Sequence, residues 1–428
     1  MNNHQQSTID KVNKGLAKRH RAEKRFRLYG LLSIIFGLLC LVFLFTDIIS
    51  KGIGAFTQHY IQLEVELDAQ KLGIDDTADI DQLRGANYGA VIKQALRNRF
   101  ETQSRRDRKQ LSGLISIGAE NQLRELVIAN PEKMLNKTHT LWFIADDDID
   151  TYLKSIDEDG NAFTDRLSEK QINWLSELKE DGAIERRLNT VLFTAGDSRE
   201  PELAGIRGAI LGSFYALLVT FCLSFPIGIA AAIYLEEYAP KNKWTDLIEV
   251  NINNLAAVPS IIFGLLGLAI FINFFGLPRS IPLVGGMVLS LMTLPTIIIS
   301  SRAAIKAVPP SVREAAYGIG ASKMQVVIHH VVPLAMPGML TGAIIGMAQA
   351  LGESAPLLMI GMVAFIVDLP ASINDAATVL PVQIYLWADS PERAFVEKTS
   401  AAIMVLLMFL ITMNAIAIWA RKRLERRW

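Results

Sequence analysis

Glu353 poses the sharpest chemical question in this sequence, because it is an ionisable carboxylate inside an otherwise charge-free apolar run from Pro333 to Val367. A charge inside such a run is expensive, and it faces a polar interior, a water-filled path or a partner of opposite sign. A carboxylate repels anions, so two tasks are open to it: pairing with an arginine, either Arg302 or one from another chain, or gating. A purely structural ion pair between helices is the plainer alternative. Ser354 adds a hydroxyl beside it, and Pro356 lacks a backbone donor and so frees a carbonyl near the same depth. Arg302 closes a second apolar run, Ser280 to Ser301. Its guanidinium suits bidentate contact with an oxyanion or, more simply, anchorage of a helix end at an interface. Asn251, Asn253 and Asn254 open a third run, where they would line a polar cavity or cap an interface.

Other chemistries find less support. Asp146-Asp-Asp-Ile-Asp150 and Asp157-Glu-Asp-Gly-Asn161 invite a cation, but counting from Asp157 the sixth position is Ala162 and the twelfth Ser168. A calcium loop of the EF-hand type needs Gly and Glu at those places. Solvated surface and charge at a helix N-terminus account for both clusters, so no metal site is assigned. Cys40 and Cys222 lie in apolar runs and read as small hydrophobes. There is no Gly-x-x-x-x-Gly-Lys-Ser/Thr loop for nucleotide phosphates, no His-Glu-x-x-His and no nucleophile with a positioned base. The chain therefore carries no catalytic residue, calls for no cofactor and has no feature directed at nucleic acid.

The elements that position these residues are membrane helices. Of 428 residues, 51% are hydrophobic and 20% charged, a balance too apolar for a soluble chain of this length. About 20 helical residues cross a bilayer, and six charge-poor stretches approach or exceed that length: 28–46, 208–235, 250–278, 280–301, 333–367 and 399–420. The first follows the basic cluster Lys18 to Arg27 and, lacking a small-residue cleavage site, reads as an uncleaved anchor. The formal net charge is zero, yet Lys51 to Glu200 is acidic on balance and the remainder basic. Lys and Arg number eight in the first 27 residues, two in the 236–249 loop, four in the 302–330 loop and five after residue 420, against Arg279, Arg393 and Lys398 on the opposite side. Basic flanks resist translocation, so both termini are expected in the cytoplasm and the long acidic segment outside.

That segment, residues 51–205, is long enough for a core of its own. Ile61 to Leu67 alternates with period two, and Thr140 to Ala145 and Thr190 to Thr194 are further strand candidates. Helical spacing appears at Ile80, Leu83, Val91 and Ala95, and again at Ile172, Leu175 and Leu178, after a capping box at Ser168 to Gln171. The expected organisation is a basic tail (1–27), a first span (28–50), an external α/β domain (51–205) and a membrane part (206–428) containing a loop at 306–335.

That loop carries the most specific motif, Val308-Pro-Pro-Ser-Val-Arg-Glu-Ala-Ala-Tyr-Gly-Ile-Gly-Ala-Ser-Lys323, continuing to Pro333. Pro309 and Pro310 start a helix where a missing donor costs nothing. Ala315 and Ala316 give it a low profile, and Gly320 permits a stop or bend before a second short helix. Arg313, Glu314, Ala315, Ala316, Gly320 and Pro333 resemble the "EAA" loop of ABC importer permeases, although that pattern ends Ile-x-Leu-Pro where this sequence has His330-Val-Val-Pro333. Together with Met292-Thr-Leu-Pro-Thr296 and Gly352-Glu-Ser-Ala-Pro-Leu-Leu358, the stretch from Arg207 onward resembles the phosphate-specific permease family conventionally called PstA, with Ser354 in place of its usual threonine.

The resemblance implies an α-helical polytopic protein of six transmembrane helices with the type I ABC importer permease fold, in a bacterial inner membrane. It also implies partners: a second related permease chain, two ATP-binding subunits that hydrolyse ATP in place of this chain, and a periplasmic phosphate-binding protein. The loop would then be the ATPase-docking elbow, with Glu353, Ser354, Pro356 and Arg302 near the substrate path. A permease for molybdate, sulfate or phosphonate remains an alternative, as does a membrane sensor with an external domain.

Overall fold

A computed structural model describes residues 3–76, 79–100, 102, 104–159 and 166–424, and the chain divides into two compact units, residues 1–51 and 52–428. The second acidic cluster lies at Asp157 to Asn161, where Gly160 and Asn161 fall outside the described residues. The first unit is one long helix, α1 (Asn3–Gly52), which contains the expected span at 28–50. Its hydroxyls are satisfied within the helix: Ser33 Oγ donates to Tyr29 O and Thr46 Oγ1 to Val42 O. An apolar solvent would leave such groups unpaired otherwise.

The second unit begins with an α/β region. Strand β1 (Thr57–Leu67) is central, between β2 (Lys137–Ile144) and β3 (Ile184–Leu188), and both pairings are antiparallel. Tyr60 lies opposite Ile144 and Leu67 opposite Lys137 on one side; Thr57 lies opposite Leu188 on the other. The period-two pattern is realised, since Ile61, Leu63, Val65 and Leu67 are buried while Glu64 and Glu66 are exposed. Helices α2 (Tyr88–Arg99), α3 (Ala119–Ala129) and α4 (Asp147–Asp159) contribute to the same region, as does α5 (Glu169–Glu180) with its capping box at Ser168 and Gln171. Tyr88, Leu96, Leu123, Leu175 and Leu178 close the core over β1.

Thr190 to Thr194 is a helical turn and not a strand: Asn189 Oδ1 accepts from Leu192 N at 3.1 Å and its Nδ2 donates to Ala55 O at 3.0 Å, so side-chain capping overrides the β-branched composition.

The helices that follow are α6 (Arg207–Ile233), α7 (Lys243–Ala256), α8 (Ser260–Gly267), α9 (Pro282–Lys306), α10 (Pro310–Gly318), α11 (Lys323–Val326), α12 (Val332–Gly352), α13 (Ala355–Met359), α14 (Leu380–Ala388) and α15 (Ala394–Leu424). Among the described residues five helices are long and apolar enough to cross a membrane, and a bent pair would make six. The expected span 250–278 is that pair: α7 and the helix from Ser260 to Phe274 meet at 101°. Pro259 explains the break, since it lacks a donor and biases Val258 away from helical geometry. The expected run 333–367 is also interrupted, because α12 ends at Gly352 and Glu353 is its extended C-cap. Close approach of α6 and α9 depends on Gly286, where a Cβ would come within 2.6 Å of Ala216 O; small residues give membrane helices their tight packing.

The α/β region is tied to α15 by buried charge. Asp150 accepts from His59 N at 2.8 Å, lies 2.9 Å from His59 Nδ1, and pairs with Lys154 at 2.8 Å; Lys154 also reaches Glu397 at 3.0 Å. Burial disfavours the Asp150 carboxylate, but the His59 and Lys154 contacts outweigh it and hold its pKa below 3.8. Burial likewise opposes the Lys154 ammonium, and Asp150 with Glu397 reverses this, raising it above 10.5. A lowered acid contributes stability above 3.8 that fades as pH falls through its folded value; a raised base contributes below 10.5 and fades as pH rises through its own. The pair therefore holds across the whole window between. Lys154→Ala is expected to destabilise the α/β region by about 3 kcal/mol, equally at mildly acid and mildly alkaline pH. Hydrogen exchange of β1 and β2 in the purified chain checks this, and a loss confined to one end of the pH range would contradict it.

Candidate functional site

The loop expected between two helices is a folded elbow. Its first arm, α10, starts with Pro310 in the first turn, and Gly320 ends it with φ +87°. Gly320 N donates to Tyr317 O at 2.9 Å and Ala321 N to Ala316 O at 3.1 Å, which satisfies the carbonyls of the last turn. A Cβ on Gly320 would meet nothing within 4 Å, so the requirement for glycine there is one of backbone conformation alone. The second arm, α11, opens on a capping box in which Ser322 N donates to Gln325 Oε1 at 2.8 Å and Gln325 N to Ser322 Oγ at 3.4 Å. It runs through a wide turn, Val327–Val331, into α12, with Pro333 in the first turn of that helix. Val326, Val327 and Val331 take the inward positions, leaving His330 half-buried at the side, so the departure from the usual Ile-x-Leu-Pro ending leaves the packing intact.

Arg313 braces this elbow, and Arg302 ties together the helices beneath it. Arg313 donates through Nη1 to Val308 O at 2.7 Å, through Nη2 to Ile305 O at 3.1 Å and, again through Nη2, to Glu237 Oε1 at 2.8 Å. Its planar fork joins the end of α9, the start of α10 and the turn Tyr234–Tyr238 after α6. Arg302 Nε meets Glu236 Oε1 at 2.5 Å and its Nη2 bonds Glu249 on α7, while Lys306 pairs with Glu236 at 3.3 Å. Lys323 Nζ lies 4.9 Å from the Tyr238 ring centroid. Charge-assisted, bidentate contacts of this kind fix geometry as well as adding energy.

The two alanines of the motif divide. Ala316 is buried among Ile305, Val308, Val326 and Val331 and packs the elbow to the bundle, whereas Ala315 and Glu314 face outward. Ile319 is 81% exposed and Met324 63%. With Tyr317 they form an apolar outer surface left uncovered among the described residues. Sequence reasoning did not single out Ile319, Met324, Glu236 or Glu237. The adjacent acids just after an apolar run were the available signal, and only the basic residues of that loop were weighed. Beside the elbow a cleft of about 660 Å³ is lined by Ala304, Val308, Leu334, Pro337 and Arg421, whose Nη1 donates to Thr341 Oγ1 at 3.1 Å.

Glu353, Ser354 and Pro356 form a second group at the break after α12. Gly338 packs on Ala304 and Gly342 on Ser300, so α9 and α12 run antiparallel. Glu353 is thus about 20 Å along α12 from the level of Arg302, and the expected Arg302–Glu353 pair does not form. Glu353 is half-buried and has no salt bridge among the described residues. Ser354 O accepts from Leu357 N and Leu358 N at 3.0 and 2.9 Å, and Pro356 lies against Gly264 of α8, where a Cβ would come within 2.7 Å of Pro356 Cα. Asn251, Asn253 and Asn254 lie on α7, where Asn251 Nδ2 donates to Leu247 O at 2.7 Å; they do not begin a straight span.

Residues 224–428 match the family described as binding-protein-dependent transport system inner membrane component, and residues 13–160 match a domain of unknown function, DUF3333. The chain is 31% identical over 228 residues to the phosphate transport system permease protein PstA of Yersinia pestis, covering 51% of this chain and 74% of that one. It is 36% identical over 154 residues to the probable ABC transporter permease protein YqgI of Bacillus subtilis, covering 36% of this chain; the chain thus spans about half, 52%, of that relative. A structure of the MetNI methionine ABC transporter aligns with 52% of this chain and 95% of its own at 18% identity and a TM-score of 0.41.

Arg313→Lys keeps the charge but loses the fork, so it is expected to loosen the elbow by about 2 kcal/mol. Limited proteolysis between Gly318 and Ser322 in the reconstituted chain reports this as faster cleavage, and unchanged cleavage would refute the bracing role.

Proposed function

The chain belongs to the family of binding-protein-dependent transport system inner membrane components, and from that premise we propose that it is the permease subunit of an ATP-driven phosphate importer. The observation that carries this reading is the braced elbow. It is a short, capped helix pair with an apolar outer face, fixed by Arg313 to the end of α9 and the turn after α6, which Arg302 in turn ties to α7. Such a part conducts force: a partner that grips Glu314, Ala315, Tyr317 and Ile319 and changes shape must carry the ends of α6 and α9 with it. Only a partner that binds two permease conformations with different affinity can drive them apart, and two ATP-binding subunits fill that role.

In this reading the elbow and both termini are cytoplasmic, residues 51–205 are periplasmic, and the chain pairs with a second, related permease. A periplasmic binding protein delivers the substrate. The path passes the break after α12, where Glu353, Ser354 and Pro356 sit together; Arg302, engaged by Glu236 and Glu249, serves as a brace and not as a phosphate ligand. Phosphate is favoured over molybdate, sulfate or phosphonate by Gly352-Glu-Ser-Ala-Pro-Leu-Leu358 and by the PstA relatives at 27 to 31% identity.

Three experiments test the proposal. Purification of the complex from native membranes should bring down an ATP-binding subunit and a second permease, and labelled phosphate uptake should be displaced by unlabelled phosphate far better than by the other oxyanions. Displacement by molybdate, sulfate or phosphonate at equal or lower concentration would move the substrate assignment to that anion. Gly320→Val should abolish uptake while leaving membrane insertion intact, because a β-branched residue at φ +87° strains the corner by about 1–2 kcal/mol or more; normal uptake by this variant would count against the elbow.

A further inference from the structure

Two helices of the α/β region turn their cations toward one cleft. Lys93 and Arg97 stand about one turn apart on α2. Arg105, Arg108, Lys109 and Ser112 recur at helical spacing along the next helix, Arg105–Ser112, so all four share one face of it. The two helices pack together, and a cleft of about 520 Å³ is lined by these six residues, five cations and a hydroxyl, without a carboxylate.

Surface cations commonly find acids, and the rest of the region does so. Lys71 pairs with Glu66 and Asp68, Arg99 with Asp181, Arg124 with Glu120 and Lys170 with Asp107. Residues 51–200 are acidic on balance, so carboxylates are not scarce. Yet none of Lys93, Arg97, Arg105, Arg108 and Lys109 forms a salt bridge among the described residues. Arg108 Nε donates to Thr102 O at 3.4 Å, and Asp107, which shares a helix with three of the five, is held by Lys170 at 2.7 Å.

The arrangement also works against stability. Lys93 with Arg97, and Arg105 with Lys109, are like charges four residues apart, which repel along a helix. Arg105 opens its helix, at the end where the dipole disfavours a cation. A face that merely keeps the surface wet intersperses both signs. Here one sign fills a concavity, and a cleft of one sign focuses its field on an incoming counter-ion. Ser112 Oγ donates to Lys109 O at 2.8 Å, which leaves recognition to the cations.

We propose that Lys93, Arg97, Arg105, Arg108 and Lys109 form a binding site for a soluble anion that carries two or more linked phosphate groups. The three guanidiniums offer paired donors to tetrahedral oxyanions, and the two ammoniums add point charges. A single phosphate brings about two negative charges at neutral pH, well short of the five positive ones here, so charge balance calls for several phosphates close together. The same groups on a lipid surface lie in one plane, whereas these cations line a recess built from two helices, and a soluble ligand fits that shape. This inference does not rest on the transported substrate, since none of the five residues belongs to the elbow or to the break after α12.

The test is titration of the full chain with tripolyphosphate, in metal-free buffer and in nanodiscs of phosphatidylcholine, read by calorimetry. The expected result is one saturable site per chain, tighter than for inorganic phosphate and weakening as salt rises. Arg97→Gln with Arg105→Gln, both at exposed positions, should weaken binding by about a hundredfold, roughly tenfold for each charge-assisted contact. Lys71→Gln with Lys137→Gln removes as many charges elsewhere in the region and should leave affinity within about twofold. Absence of saturable binding in the unaltered chain would overturn the proposal, as would equal weakening in the control or inorganic phosphate binding as tightly as tripolyphosphate. Co-sedimentation of the nanodiscs with phosphatidylglycerol vesicles, without binding of tripolyphosphate, would overturn it in favour of a lipid surface. Uptake is not the readout, so a negative result leaves the transport proposal standing.

Discussion

A carboxylate gripped by a planar guanidinium is the contact on which the lower half of this protein turns. Glu236 and Glu237 follow one another at the end of α6, and Arg302 and Arg313 reach them from α9 and α10. Remove the Arg313 grip and the elbow loses its bond to the turn after α6. With both in place, the corner at Gly320, the capping box at Ser322 and the inward packing of Ala316 and Val326 make a stiff unit whose outer face is apolar. Burying these charges is costly, and hydrogen bonds from Arg313 to the backbone carbonyls of Ile305 and Val308 offset part of that cost.

A buried ion pair also joins elements elsewhere in the unit. There Lys154 lies between Asp150 and Glu397, and Trp387 Nε1 donates to Asp197 Oδ1 at 3.0 Å, so the α/β region bears directly on α14 and α15. Gly54 packs so close to Glu397 that a Cβ would overlap its carboxylate at 1.8 Å. The region is part of the permease body, and a motion of α15 must be felt in the sheet. A mechanical reading of the elbow therefore extends through the bundle to the domain that the sequence left without a role.

Much of this was legible beforehand because it rests on local rules. Alternation at Ile61 to Leu67 announced β1, the Ser168 and Ser322 boxes announced helix starts, and Pro310 with Gly320 bounded the elbow. Failures came where tertiary contacts outvoted local preference. The apolar run at 250–278 gives no sign in hydropathy of the 101° bend that Pro259 imposes. β3, Ile-Glu-Arg-Arg-Leu, is an edge strand whose charges hide it from a search for apolar alternation. The acidic cluster at Asp146 to Asp150 read as solvated surface, yet Asp150 is buried against His59 and Lys154, a placement that only the fold supplies. Arg302 and Glu353, each conspicuous alone, belong to opposite ends of one helix pair.

The central claim is that this elbow is held by a nucleotide-driven subunit, and the direct measurement is proximity. In a chain whose Cys40 and Cys222 are replaced by alanine, a single cysteine at Ile319 should crosslink to the ATP-binding subunit in native membranes, with a yield that changes between nucleotide-free and ATP-trapped states. A cysteine at Ile319 that never reaches such a subunit, or that is labelled only by reagents applied from the outer side, would contradict the account.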